Sequence, residues 1–170
     1  MKKNLIPIIT ILAIVSIILV VFLSMANSQN MTTVSLGNHK KEVLPMVVGK
    51  FQDSDCGMVI DQLEFSSQVI SPSGKTWFFH DHGGMAHWIA NKTFKDEAVI
   101  WVMTLDTKKY IDGRKAWYSR TDDTPMDYGF GAYEHKKNNL IDFNTMFLYM
   151  NRGENLTNPL IKKQLLGDTK

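Results

Sequence analysis

Three features of the sequence predict an α+β fold. A hairpin signature occupies 64–81, where two β-prone runs flank the turn string Pro72-Ser73-Gly74-Lys75. The nearly continuous apolar run Ala98 to Leu105 has the length and β-branched content of a buried strand. Helical periodicity occurs in separate short stretches, so strands and helices are segregated rather than strictly alternating.

Taken in order, the chain of 170 residues opens with Lys2 and Lys3 and then an uncharged run from Leu5 to Leu23. About 20 apolar residues are enough to cross a bilayer, and the run is long for a cleavable signal. Ser24-Met25-Ala26 offers the small residues of a cleavage site, but length favours a retained anchor over 1–23. Basic residues precede the run and none follows until Lys40, which places the N-terminus inside and the rest outside. Residues 24–44 are polar and aperiodic and are expected to be a tether. Residues 45–170 then form one domain with its own core.

Within that domain, Phe65, Val69 and Ile70 mark the first hairpin strand and Thr76 to Asp81 the second. Gly83-Gly84 is expected to break the strand. Met85, Trp88 and Ile89 share one helical face, predicting a helix over Met85 to Asn91. Asp106-Thr107-Lys108-Lys109 is a turn, and Tyr110 to Asp112 and Lys115 to Ser119 read as short strands. Asp122 to Pro125 is a loop. Leu140, Phe143, Phe147 and Met150 give a helix over Asn139 to Met150, with Gly153 past its end. Pro159 and Gly167 punctuate a short tail helix from Pro159 to Leu166. Strand pair, helix, strands, helix suggests two related halves.

Charge excludes some functions. Setting aside Lys2 and Lys3, the 17 acidic residues meet 17 basic ones, scattered without a stripe, so no nucleic-acid surface is expected. The motifs of serine hydrolases, zinc proteases and phosphate loops are absent.

Three strings carry chemistry. In Cys56-Gly57-Met58 the only cysteine stands two residues from a thioether. In an extended segment, residues i and i+2 face one side about 6.5 Å apart, so both sulfurs could meet one ion. Thiolate plus thioether is a set that selects Cu(I). A small buried Cys beside a core Met is the plain alternative. The second string, His80-Asp81-His82-Gly83-Gly84-Met85-Ala86-His87, brings three imidazoles and a thioether. His80 and His82 are ligand candidates. Met85 fits helix core as well as it fits a ligand, and His87 points off the apolar face. The third, Thr124-Pro125-Met126, fixes a methionine in a polar loop, where it either binds metal or anchors the loop.

In this order, together with Tyr110-Ile111-Asp112-Gly113-Arg114-Lys115-Ala116-Trp117-Tyr118, these strings resemble the NosL family from about Cys56 to Phe143. Members of that family are exported copper-binding accessory factors for the assembly of nitrous-oxide reductase. The resemblance implies a pair of ββαβ-like units and a single Cu(I) site. It matches Cys56, Met58 and Met126 to family sulfur positions and Met85 to a recurring methionine of less settled role. It gives His80 and His82 no role, since acidic residues are common there. Many members are lipoproteins anchored by a cysteine at the end of the signal. No cysteine lies near Leu23, so the anchor here would be the helix itself.

The expectation is therefore an inner-membrane, single-pass protein with a periplasmic Cu(I)-chaperone domain, not an enzyme. Its expected metal residues are Cys56, Met58, Met126, His82, His80 and Met85. Its expected partners are the cytoplasmic membrane and nitrous-oxide reductase or its membrane copper-transfer complex. The rival functions are a thiol-dependent lyase or transferase with Cys56 as nucleophile, and a binding module without metal.

Overall fold

The structure, a computed structural model, describes residues 5–27 and 31–167. The chain divides into two compact units, 1–31 and 32–170. In the first unit, helix α1 spans Leu5–Asn27, and Ser16 Oγ donates back to the Leu12 carbonyl at 2.8 Å. Its described side chains cover 10–23 and are all exposed. Among the described residues no helix is long and apolar enough to cross a membrane. Part of the expected anchor over Leu5–Leu23 lies outside the described side chains.

The second unit is mixed α and β. A five-stranded antiparallel sheet has the order β1-β3-β2-β4-β5, from Val34–Ser35, Thr76–Phe79, Ser67–Ile70, Val99–Met103 and Tyr110–Asp112. A three-stranded sheet has the order β7-β6-β8, from Ala132–Tyr133, Trp117–Tyr118 and Ile141–Asp142. Helices α2 (His82–Ala90) and α3 (Phe143–Asn151) share one core with both sheets, through Met85, Ile89, Val102, Tyr118, Phe143 and Met146. Helix α4 covers Pro159–Leu166, with Asn158 capping it and Gly167 at φ 79 closing it, the bounds its Pro and Gly predict.

The hairpin forms as expected, pairing Ile70 with Thr76 around the Pro72–Lys75 turn. Several expectations are corrected. The tether ends earlier than residue 44: β1 adds to the sheet edge at Trp77 and Thr76. Further on, Leu44 exchanges two hydrogen bonds with the Gln68 amide, at 2.9 and 2.7 Å. A buried amide must find such partners, and the supposed tether supplies these two. Helix α2 starts at His82 because Asp81 accepts from the Gly83 N–H at 2.7 Å and caps it. Gly83-Gly84 therefore begins a helix rather than breaking a strand. Helix α3 starts at Phe143, capped by Asp142, so Leu140 lies ahead of it and the preceding residues form β8 instead. Strand β4 buries alternate residues, Ile100 and Val102, with its other face only half covered. The order β2-β3-α2-β4 is ββαβ, but the later elements run β5-β6-β7-β8-α3-α4 and do not repeat it strand for strand.

Candidate metal centre

The cysteine string is a turn, not an extended segment. Gln52 bridges Val59 across its base, and the Asp53 N–H donates to the Met58 carbonyl at 2.8 Å. Gly57 closes the turn at φ 77, a conformation that strains any residue with a Cβ. The turn sends Cys56 and Met58 to different recesses. Cys56 lines one of about 570 Å³ with Asp53, Trp77, Trp88 and Lys92. Met58, 45% exposed, lines one of about 260 Å³ with Asp61, Gln62, His80 and Pro125.

Asp53 and His80 join the two recesses. Cys56 Sγ lies 3.9 Å from His80 Nδ1, and that nitrogen is 2.6 Å from Asp53 Oδ2. The same Oδ2 accepts the His80 backbone N–H at 2.8 Å, and Oδ1 accepts from Asp55 and Cys56 at 2.7 and 3.1 Å. One ligand atom from each of Asp53, Cys56 and His80 falls within 4.8 Å of the others. Asp53 and His80 are buried. Beside them, an Asp55 carboxylate oxygen lies 3.5 Å from Nδ1 of the exposed His87.

The third string arrives through Asp81. Its Oδ2 accepts the Met126 N–H at 3.0 Å while its Oδ1 caps α2. The residue after His80 thereby holds the Pro125–Met126 loop against the end of β3. Met126 is half-buried, and its neighbour Pro125 lines the recess shared by Met58 and His80. Tyr128 packs onto Gly83 so closely that a Cβ there would lie 2.7 Å from its ring.

Two expected ligands lie elsewhere. His82 is fully buried, bonded to Ser67 Oγ at 2.7 Å and flanked by the Phe65 and Tyr118 rings. Burial pushes its pKa down to about 3. Met85 is fully buried in the helix–sheet core. The helix cap at Asp81 separates them from the centre, because entry into α2 turns residues 82 and 85 inward. The structure brings Cys56 and His80 together, and it places Met58 with His80 and Pro125 in the neighbouring recess. It adds Asp53, whose three-residue spacing to Cys56 was the available signal.

Asp53 is the ionised carboxylate of the centre. Burial raises the Asp53 pKa, but hydrogen bonds from the His80 ring and three backbone N–H groups outweigh it and hold it below 3.8. Burial works against a charged His80, but the Asp53 bond and the charges of Asp53, Asp81 and Asp61 lift it above 6.5. Partial burial of the sulfur, aided by Asp53 and Asp55, raises the Cys56 thiol above its usual value, although the residue counts as exposed. A thiol so raised holds its proton more tightly, so it is a weaker nucleophile near neutral pH and any metal must compete with that proton.

The fold and this cluster define an α+β domain with a candidate soft-metal centre at the meeting of three loops. The domain is similar to the crystal structure of the copper chaperone NosL from Shewanella denitrificans, with TM-score 0.52 and 16% identity over 61% of this chain and 94% of that one. At that identity the likeness is one of fold. No protein-family model and no curated protein sequence matches the chain.

Proposed function

We propose that this protein is an extracytoplasmic Cu(I) chaperone, tethered to the inner membrane through Leu5–Leu23, that delivers copper for the assembly of nitrous-oxide reductase. The observation that carries the reading is the 3.9 Å approach of the Cys56 thiol to His80 beside the buried Asp53 carboxylate. Met58 and the Met126 loop border the same residues. The solved neighbour is named a copper chaperone, which supports copper as the cargo.

Cys56 supplies the thiolate, and Met58 and Met126 supply the thioethers. Soft sulfur donors prefer Cu(I) to harder ions. Cys56 gives up its proton to solvent as copper enters. Met58 is half exposed, so an incoming thiol or thioether can replace it one bond at a time. That is transfer by ligand exchange, and it requires no catalytic step by the protein.

The test is transfer. Copper-loaded full chain, in detergent, is mixed with copper-free nitrous-oxide reductase and its membrane copper-transfer complex. Appearance of the reductase's copper-centre absorption supports the reading. Copper that stays on the chain, or moves equally to any thiol protein, contradicts it.

A further inference from the structure

We infer that Lys162 is a positioning residue: from helix α4 it clasps Asp127 and so holds the neighbouring Met126 in place for copper. This rests on the proposed copper-binding function and names a device that governs one of its thioethers.

The Met126 loop is a tight turn gripped from two sides. The Asp127 N–H donates to the Thr124 carbonyl at 2.9 Å, which puts Pro125 and Met126 at the two corner positions. From the side of α2, Asp81 accepts the Met126 N–H at 3.0 Å. From the side of α4, Lys162 Nζ donates to the Asp127 carboxylate at 2.7 Å. Met126 stands between these two holds. Asp127 sits at φ 54, a left-handed conformation that Asp tolerates better than most residues but does not favour.

The segment that leads into α4 is fastened to the same loop. The Leu156 N–H donates to the Tyr128 carbonyl at 3.4 Å. The buried Leu156 side chain closes on Gly129, where a Cβ would lie 2.8 Å from Leu156 Cγ. Arg120 donates to the Glu154 carbonyl at 2.9 Å and lays its guanidinium 4.0 Å over the Tyr149 ring, which joins this segment to α3. Asn158 then caps α4, and Lys162 follows one turn later, its N–H on the Asn158 carbonyl at 2.8 Å. The helix therefore presents Lys162 to Asp127 from a fixed base.

Helix α4 buries none of its own side chains, so it adds little to a core. Among the described residues none from 154–166 lines either recess, so α4 supplies no ligand. The plain alternative is a surface ion pair between half-exposed groups, a kind that often contributes nothing. Against it stands the pattern of contact. The 154–162 segment touches Asp127, Tyr128 and Gly129 in turn, the three residues directly after Met126.

The test is anaerobic Cu(I) titration of the full chain in detergent against a competing chelator. Lys162→Glu should weaken binding about 2- to 5-fold, the span available to an exposed ion pair. Lys162→Arg should bind as the wild type does. Adding Asp127→Lys to Lys162→Glu reverses the pair and should restore affinity; Lys41 at φ 56 and Lys108 at φ 54 show that a lysine accepts this backbone. A merely structural pair would weaken any variant alike, so coupling decides the matter. In a Met126→Leu background, Lys162→Glu should have no further effect. Wild-type affinity in Lys162→Glu or in Met126→Leu overturns the inference and leaves the chaperone reading standing. So does an equal loss from Lys162→Glu with and without Met126. If the wild type itself holds no Cu(I), both readings fall.

Discussion

The Asp53 carboxylate holds His80 twice through one oxygen, from the backbone N–H at 2.8 Å and from the ring at 2.6 Å. The same side chain caps the turn that carries Cys56. Removing it leaves the two buried donors of His80 unpaired at once. Asp53→Ala should therefore destabilise the domain by about 3–5 kcal/mol, the range for breaking a buried pair from one side. Denaturant unfolding of the wild type and the variant measures this. A loss below about 1 kcal/mol would mean the pair is not buried as described.

The pair should also shape the pH dependence of stability. Asp53 titrates below its ordinary 3.8, so its contribution is present above 3.8 and lost as pH falls through the lowered value. His80 titrates above 6.5, so its contribution is complete below 6.5 and lost as pH rises through the raised value. Together they favour the folded state most between those two ordinary values.

His82 acts in the opposite sense on the acid side. It is buried neutral with a pKa near 3, so the unfolded chain takes up its proton first, and stability drains away as pH falls below 6.5. His82→Gln keeps a polar group for Ser67 and removes the titration. Its stability should vary less between pH 6.5 and 4 than that of the wild type, by an amount on the order of a few kcal/mol. Parallel stability–pH curves for the two proteins would show that His82 does not titrate in a buried site.

How much of this was legible in the sequence depended on whether the signal was local. The hairpin turn at Pro72–Lys75 and the punctuation of α4 by Pro159 and Gly167 were read directly, because turn and cap chemistry resides in a few adjacent residues. Strand β1 was missed, since a two-residue edge strand has no periodicity and is fixed by Trp77 from across the sheet. Cys56, Met58 and His80 were expected from ligand chemistry, and the structure places Cys56 beside His80 and Met58 in a recess that His80 also lines. His82 and Met85 were separated from them only by the cap at Asp81, which starts α2 three residues earlier than the apolar pattern suggests. Asp53 was passed over as a polar neighbour because two of its four hydrogen bonds reach His80, just past a strand distant in sequence.

Gly83 and Tyr128 test how the third loop is held. A Cβ at Gly83 would lie 2.7–2.8 Å from Tyr128, so Gly83→Ala must push the 124–129 loop away from α2. Overpacking of this kind costs about 1–3 kcal/mol. The same displacement moves Met126 and should weaken Cu(I) affinity along with stability. Unchanged copper affinity in a destabilised Gly83→Ala would remove Met126 from the ligand set.

The membrane tether makes its own prediction. If the uncharged run is retained as the proposed anchor, fractionation should find the protein in the membrane at full-length mass. A soluble product beginning near Asn27 would identify that run as a cleaved signal instead.

The central claim is that copper is held through the single thiol. Anaerobic Cu(I) titration against a competing chelator, comparing wild type with Cys56→Ser, tests it most directly. Loss of the only thiolate should cost more than the roughly 10- to 100-fold that an outer partner is worth, and more than Met58→Ala costs. Equal Cu(I) affinity in Cys56→Ser and wild type would contradict the account.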